Sequence, residues 1–300
     1  MHLSELRNLT KSLRSFDAEY YLKAKIFKIN EFFSSNNLDS CILGISGGVD
    51  SATVLGLLLK AQKEEGSPLK RVWPILIPIY GPGMTGQDIA TEFGLEQCAA
   101  FNIEPKVVDL SEAQQVYIRS CPSASAWADG QLACILRTPC FYYHAALLQA
   151  GGFKSIVVGT TDRDEGAYIG FYGKASDAMV DLQPIADAHK SEVQAVGKLV
   201  GVIPEILKRA PTGDVWNSVT SEEMIGAPFW FLEMYLLIKV HRLQNLVNTL
   251  PGDEQTEYWK YANAIEELHT KNAHKYKVGL PSHFIDCVSR GVPGGWSNGD

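Results

Sequence analysis

No pair of cysteines in this chain is spaced CxxC. The six thiols fall at 41, 98, 121, 134, 140 and 287, and Cys134 and Cys140 are too irregularly placed to make half of a zinc site. Reduced, mostly buried thiols follow from that pattern. The opening stretch MHLSELRNLT has no continuous apolar segment, so no secretory signal is expected. Nor does any apolar run reach the roughly 20 residues of a membrane span, since the longest, 227–238, is interrupted by Glu233. A basic excess is missing as well. With 27 Lys and Arg against 34 Asp and Glu the formal net charge is -7, whereas a protein that neutralises nucleic-acid phosphates carries clustered cations. These absences point to a cytoplasmic globular protein that works on small molecules, with neither nucleic acid nor membrane as a partner.

What is present is a chain of 300 residues, 46% hydrophobic, enough to bury a sizeable core. Apolar runs at 41–45, 72–80, 106–110 and 155–160 read as buried strands, and segments of helical period at 51–64, 87–101 and 131–150 lie between them. That alternation predicts an α/β doubly wound fold with a mostly parallel sheet flanked by helices. Pro139 is expected to kink the helix at 131–150 or to mark its start. After Thr160 a polar, glycine-rich loop runs to about 180, a helix begins near His189, and from 221 the pattern is almost wholly helical. The stretch 229–240, FWFLEMYLLIKV, is apolar nearly all round, and such a helix is expected to be buried, here against a second subunit. The tip at 121–130 and the last residues, GGWSNGD, read as disordered.

One loop carries the chemistry. The strand CILGI at 41–45 runs into Ser46-Gly47-Gly48-Val49-Asp50-Ser51, and a helix follows. Two glycines let the backbone turn sharply toward a ligand, and a helix N-terminus offers unpaired N–H groups and a positive dipole end, so an anion belongs there. Without the lysine of GxxxxGK[ST] it is not a Walker loop. A bland alternative is a glycine turn with Asp50 and Ser51 as helix caps. The five fixed positions of SGGxDS at the end of the first strong strand instead resemble the pyrophosphate loop of the N-type ATP pyrophosphatases, which release pyrophosphate and leave AMP on the substrate.

Further along, Gly159-Thr160-Thr161-Asp162-Arg163-Asp164-Glu165, then GFYGKASD, DLQPI, His189-Lys190 and Pro211-Thr212, resemble the NAD synthetases in order and spacing over residues 25–290. The resemblance is to the ammonia-dependent type and implies a single domain, with a helical dimerisation or lid region at about 221–290 and no glutaminase domain. It implies that Asp50, Lys190 and Thr212 are catalytic, and that Gly44, Ser46, Gly47, Gly48 and Ser51 join them in binding ATP. Arg137, Thr160, Lys174, Asp177, Asp181, His274 and Lys275 match positions that hold the dinucleotide. Asp50, Glu165 and Thr212 match oxygen ligands of Mg2+, which offsets the charge of the leaving pyrophosphate. The implied substrates are ATP, nicotinic acid adenine dinucleotide and ammonia, and the implied assembly is a homodimer. No nucleophilic side chain is needed, which leaves the cysteines outside the mechanism.

The sequence also departs from that family. Where the family has N-x-x-A-R-x-R, this chain has Gln131 through Arg137, with Ile135 in place of the first arginine. The second strand ends in Ile79-Tyr80-Gly81-Pro82 rather than Arg-Leu-Pro, and Met224 replaces an expected glutamate. An arginine that meets a phosphate or carboxylate is not replaced conservatively by isoleucine. Two other readings therefore stand beside the first: a related ligase acting on a different carboxylate, and an inactive nucleotide-binding homologue.

Overall fold

The computed structural model describes residues 1–81, 84, 86–122, 125–212, 219–276 and 283–284. Two helices, α1 (Leu3–Arg14) and α2 (Ala18–Ser35), precede the first strand. Tyr21, Lys25, Ile29 and Phe33 recur every fourth residue of α2 and form its buried face. The chain then runs through β1 (Ser40–Gly44), α3 (Val49–Lys63), β2 (Arg71–Leu76), α4 (Gln87–Ala100), β3 (Lys106–Val107), α5 (Ser111–Ser120), α6 (Ala126–Ala150) and β4 (Ser155–Val158). A π-turn follows at Asp164–Tyr168, then β5 (Leu182–Gln183), α7 (Lys190–Val200) and α8 (Pro204–Lys208). The remainder is α9 (Ser221–Ile225), α10 (Phe229–Val240), α11 (Gln244–Val247), α12 (Gly252–Tyr276) and β6 (His283–Phe284).

The six strands among the described residues are all parallel, in the order β3-β2-β1-β4-β5-β6. The expected doubly wound α/β architecture is therefore present. The direction of winding reverses between β1 and β4, and in such sheets ligands bind in the crevice at the carboxyl ends of the strands beside that reversal. The loops after β1 and β4 both open there. One core packs α2, α3 and α7 against β1 and β2. On the sheet's other face Ile42, Ile75, Val157 and residues of α6 form a second.

Several expectations change. The second strand stops at Leu76 rather than 80, and beyond it the Ile79 N–H donates to the Gln87 side chain instead of to a neighbouring strand. The third pairs over two residues only. Helix α6 begins at Ala126, where the Ser125 side chain accepts from the Ala128 N–H, so Pro139 lies inside it and does not mark its start. Residues 126–130 of the tip expected to be disordered are thus helical, while 123–124 and the last residues lie outside the described part.

Helix α10 is the clearest correction. It is buried by its own chain: Phe231, Leu232 and Leu236 pack with Leu3 and Leu6 of α1 and with Tyr258, Ala262 and Ile265 of α12. Its all-round apolarity reflects an internal helical core, not a subunit interface. Exposed apolar side chains gather instead on α6, at Trp127, Ile135, Tyr142, Tyr143 and Leu147.

Candidate active site

The Ser46–Ser51 loop joins β1 to α3 in a hydroxyl-bridged turn. Ser46 Oγ lies 3.1 Å from Ser51 Oγ. The Ser46 N–H donates to Ser51 Oγ and Ser51 Oγ donates to Gly48 O. Gly47 has φ +76, and a Cβ there would sit 2.2 Å from Ala90 O in α4. Both the left-handed backbone and the contact demand glycine. Gly47→Ala is expected to cost about 1–2 kcal/mol from the backbone alone and more from the displaced α4. A thermal melt followed by circular dichroism checks it.

Gly48, not Asp50 or Ser51, is the N-cap of α3, and it makes no side-chain cap bond. Asp50 lies in the first turn and turns its carboxylate across the sheet to Lys190. The Lys190 ammonium is 2.8 Å from Asp50 Oδ2, 2.9 Å from Asp162 Oδ2 and 2.9 Å from Glu165 Oε1. It also lies 4.9 Å from the centre of the Phe229 ring. Lys190 is the first residue of α7, and its backbone N–H donates to Asp164 Oδ2 at 2.7 Å, which answers one of the orphan donors of that helix end. The loop after β4 thus supplies three acids in four residues: Asp162 and Glu165 to the Lys190 ammonium, Asp164 to its backbone and to His189 Nδ1 at 2.7 Å.

One ammonium facing three carboxylates in a buried site sets the local charge. Burial alone would lower Lys190, yet Asp162, Asp50 and Glu165 hold it well above the usual lysine range. Burial raises Asp162 to about 7 against the pull of Lys190, raises Asp164 to about 7 and lifts Glu165 well above a normal glutamate. His189 is pushed down to about 4 by burial, so at neutral pH it is an uncharged ring. The folded chain keeps the Asp162 proton to about pH 7, while the unfolded chain loses it near pH 4. Between those values the native state binds the extra proton, so this group costs stability as pH rises through that window. The Asp162→Asn chain is expected to show a shallower fall in melting temperature than the parent between about pH 4 and about pH 7.

Asp162 belongs to the quoted motif, yet its neighbours in sequence assign it no role. The density of acids directly after a strand is the signal that points to it. Asp50 Oδ1 and Asp162 Oδ2 are buried without a hydrogen bond among the described residues, and Asp162 Oδ2 faces the lysine only as an ion pair. These oxygens with Glu165 make an acceptor set suited to a hard cation, though no cluster of three His, Cys, Asp or Glu among the described residues forms an all-protein cage. Mg2+ ordinarily takes one or two carboxylates and completes its shell with phosphates and water, so the residues fit it.

The other expected residues are spread more widely. Gly44 ends β1 against the Phe141 ring. Thr160 follows β4, and the neighbouring Thr161 N–H donates to Gln183 of β5 at 3.1 Å. Thr212 Oγ1 accepts from Arg209 at 3.2 Å. Arg137 spends Nε on Ile77 O and Nη2 on Gln87, so it braces the end of β2. Asp181 accepts from the Val157 N–H at 2.7 Å and lines a cavity of about 400 Å³ with Tyr142, Gln149 and Ser155. Asp177 receives Gly173 N and Ser176 Oγ, and Lys174 is exposed beside it. His274 is exposed near Lys271 O, whereas Lys275 donates to Gly170 O and Tyr172 O. No helix among the described residues is long and apolar enough to cross a membrane.

Comparison with known proteins bears on this geometry. Residues 21–279 match the NAD synthase family. The chain is similar to an NH(3)-dependent NAD(+) synthetase of Archaeoglobus fulgidus, 30% identical over 255 residues, 85% of this chain and 93% of that one. One from Methanococcoides burtonii is 30% identical over 202 residues, 66% and 71% of the two chains. Among solved structures, an NMN synthetase from Francisella tularensis superposes with a TM-score of 0.69 at 21% identity, covering 87% of this chain and 96% of that one.

Proposed function

The chain belongs to the NAD synthase family, and from that premise we propose that it makes NAD by amidating nicotinic acid adenine dinucleotide with ammonia at the expense of ATP. The observation that carries the reading is Lys190, gathered with Asp50, Asp162 and Glu165 beside the glycine loop where the sheet reverses. A carboxylate is a poor electrophile. Attack of the dinucleotide carboxylate on the α-phosphate expels pyrophosphate and leaves an acyl-adenylate, from which ammonia displaces AMP.

The amides of the Ser46–Ser51 loop and the α3 N-terminus receive the departing pyrophosphate. Lys190 meets the charge that develops on the α-phosphate oxygens, in a buried site where a fixed cation acts strongly. Asp50 and Glu165 would hold Mg2+, whose charge offsets that of the pyrophosphate. Thr212, beside Arg209, completes the phosphate contacts. Thr160, Lys174, Asp177, Asp181, His274 and Lys275 are assigned to the dinucleotide, with Arg137 acting through the end of β2. The protein is cytoplasmic, forms one domain, and pairs as a homodimer through the exposed apolar face of α6 rather than through α10.

The test is pyrophosphate release with Mg-ATP and ammonium, with and without the dinucleotide, reading NAD in the same tube. Release that depends on the dinucleotide and equals the NAD formed is the expected result. Nicotinic acid mononucleotide is run in parallel because Ile135, exposed on α6, stands where the family has its first arginine. Turnover of the mononucleotide alone, or pyrophosphate without NAD, overturns the proposed acceptor.

A further inference from the structure

Four residues of α12 spaced three apart, Glu266, His269, Asn272 and Lys275, grip the segment that leaves the π-turn. Glu266 Oε1 accepts from Tyr168 Oη at 2.6 Å, from Lys239 Nζ at 2.8 Å and from Tyr235 Oη. The His269 ring lies parallel to that of Tyr168, with centroids 3.9 Å apart and 2° between planes, and its Nδ1 is 2.7 Å from Tyr168 O. Asn272 Nδ2 donates to Ile169 O at 2.8 Å. Lys275 Nζ donates to Gly170 O at 2.7 Å and Tyr172 O at 2.6 Å. Residues three apart on a helix are surface neighbours, so the four form a stripe that winds along α12, with Glu266 and His269 on Tyr168, Asn272 on Ile169 and Lys275 on Gly170 and Tyr172.

The gripped segment is continuous with the site. Tyr168 is the last residue of the turn that starts Asp164-Glu165, and the Phe171 N–H donates back to Glu165 O at 2.8 Å. Displacing Tyr168 or Phe171 therefore moves the peptide that carries the Glu165 carboxylate to Lys190. Partial burial alone would raise Glu266, but Lys239 and the hydroxyls of Tyr168 and Tyr235 hold it down to about 2, so it is a fixed anion on which three donors converge.

We propose that Glu266 is a positioning residue: through Tyr168 and the α12 stripe it fixes the π-turn so that Glu165 meets Lys190. The proposal rests on Glu165 being part of the ATP-activating centre. Groups that orient a functional carboxylate typically contribute about 10- to 100-fold, and a misplacement of about 1 Å at a reacting centre is enough to produce such a loss.

The experiment compares Glu266→Ala and Glu266→Gln in the full chain. It reads amide hydrogen exchange across 166–172 without nucleotide, kcat and KM for ATP, and thermal unfolding. For Glu266→Ala the Gly166, Phe171 and Tyr172 amides exchange faster, kcat falls about 10-fold or more, and KM for ATP stays within about twofold. Glu266→Gln recovers most of both losses, because its amide oxygen still accepts the two hydroxyls. Unchanged exchange, or a lower melting temperature with parental kcat, overturns the proposal. Should Glu266→Ala fail to fold, Tyr168→Phe removes one hydroxyl and keeps the stack on His269. The same directions are then expected, and parental kcat with parental exchange overturns it. A parent chain that forms no NAD sinks the role of Glu165, while the exchange data still report whether α12 holds the turn.

Discussion

Pyrophosphate release by the Asp50→Ala chain is expected to fall by about 10²- to 10³-fold, with its melting temperature close to that of the parent. Each factor of ten corresponds to about 1.4 kcal/mol of barrier, and a metal-held oxygen contributes several kcal/mol to the transition state of such a displacement. The fold survives for two local reasons. Gly48 is the N-cap of α3, so no cap is lost with Asp50. Lys190 keeps Asp162 Oδ2 and Glu165 Oε1 as acceptors at 2.9 Å, and the loop is still tied by its serine hydroxyls. Steady-state pyrophosphate release beside a circular dichroism melt separates the two effects. A folded variant with parental activity would remove Asp50 from the phosphate-activating centre.

The second large effect lies away from the chemistry. Lys25 is fully buried in α2, and its ammonium is 2.8 Å from Asp187 Oδ1, which also accepts from Tyr21 Oη at 2.7 Å. Breaking a buried pair by removing one partner costs about 3–5 kcal/mol, because the other charge stays behind without its counter-ion. Lys25→Met is expected to lower stability by that amount, on the order of 5–10 °C in melting temperature for a chain of this size. Adding Asp187→Asn removes the stranded charge and is expected to recover part of the loss. If Lys25→Met melts within a degree or two of the parent, the pair is not what joins α2 to the turn at 187–190. That turn leads directly into Lys190, and Arg14 of α1 reinforces it by donating to Asp187 O and to both oxygens of Glu192. The amino-terminal helices thus brace the helix that carries the central lysine.

What the chain determines by itself is what is local in sequence. The alternation of apolar strands with helical periods is a local pattern, and it specifies the parallel α/β fold. SGGVDS is six contiguous residues whose glycines and helix start carry their own physical meaning, so the sharp turn into α3 is legible from the residues alone. His189 is expected at a helix start, and it is the N-cap of α7. Strands of two residues, β5 and β6, leave no pattern to find. The partner of α10 is hidden for a related reason: a helix apolar on every face announces burial, but nothing in its periodicity says whether its own chain or another covers it.

Tertiary structure alone decided which charges meet. Asp50 and Lys190 are 140 residues apart, and Lys25 and Asp187 are 162 apart. Nothing in either neighbourhood specifies the other; the parallel sheet sets the loop after β1, with Asp50, beside the segment after β5 that leads into Lys190, and the packing of α2 with α7 in one core brings Lys25 to Asp187. The same packing explains why Asp162 counts among the site acids, why Arg137 is spent on the end of β2, and why Lys275 reaches backbone carbonyls. A side chain's type and its neighbours in sequence determine what chemistry it can do. Burial, which raises the cost of every unpaired charge, determines which partners it must find, and burial is a property of the folded chain.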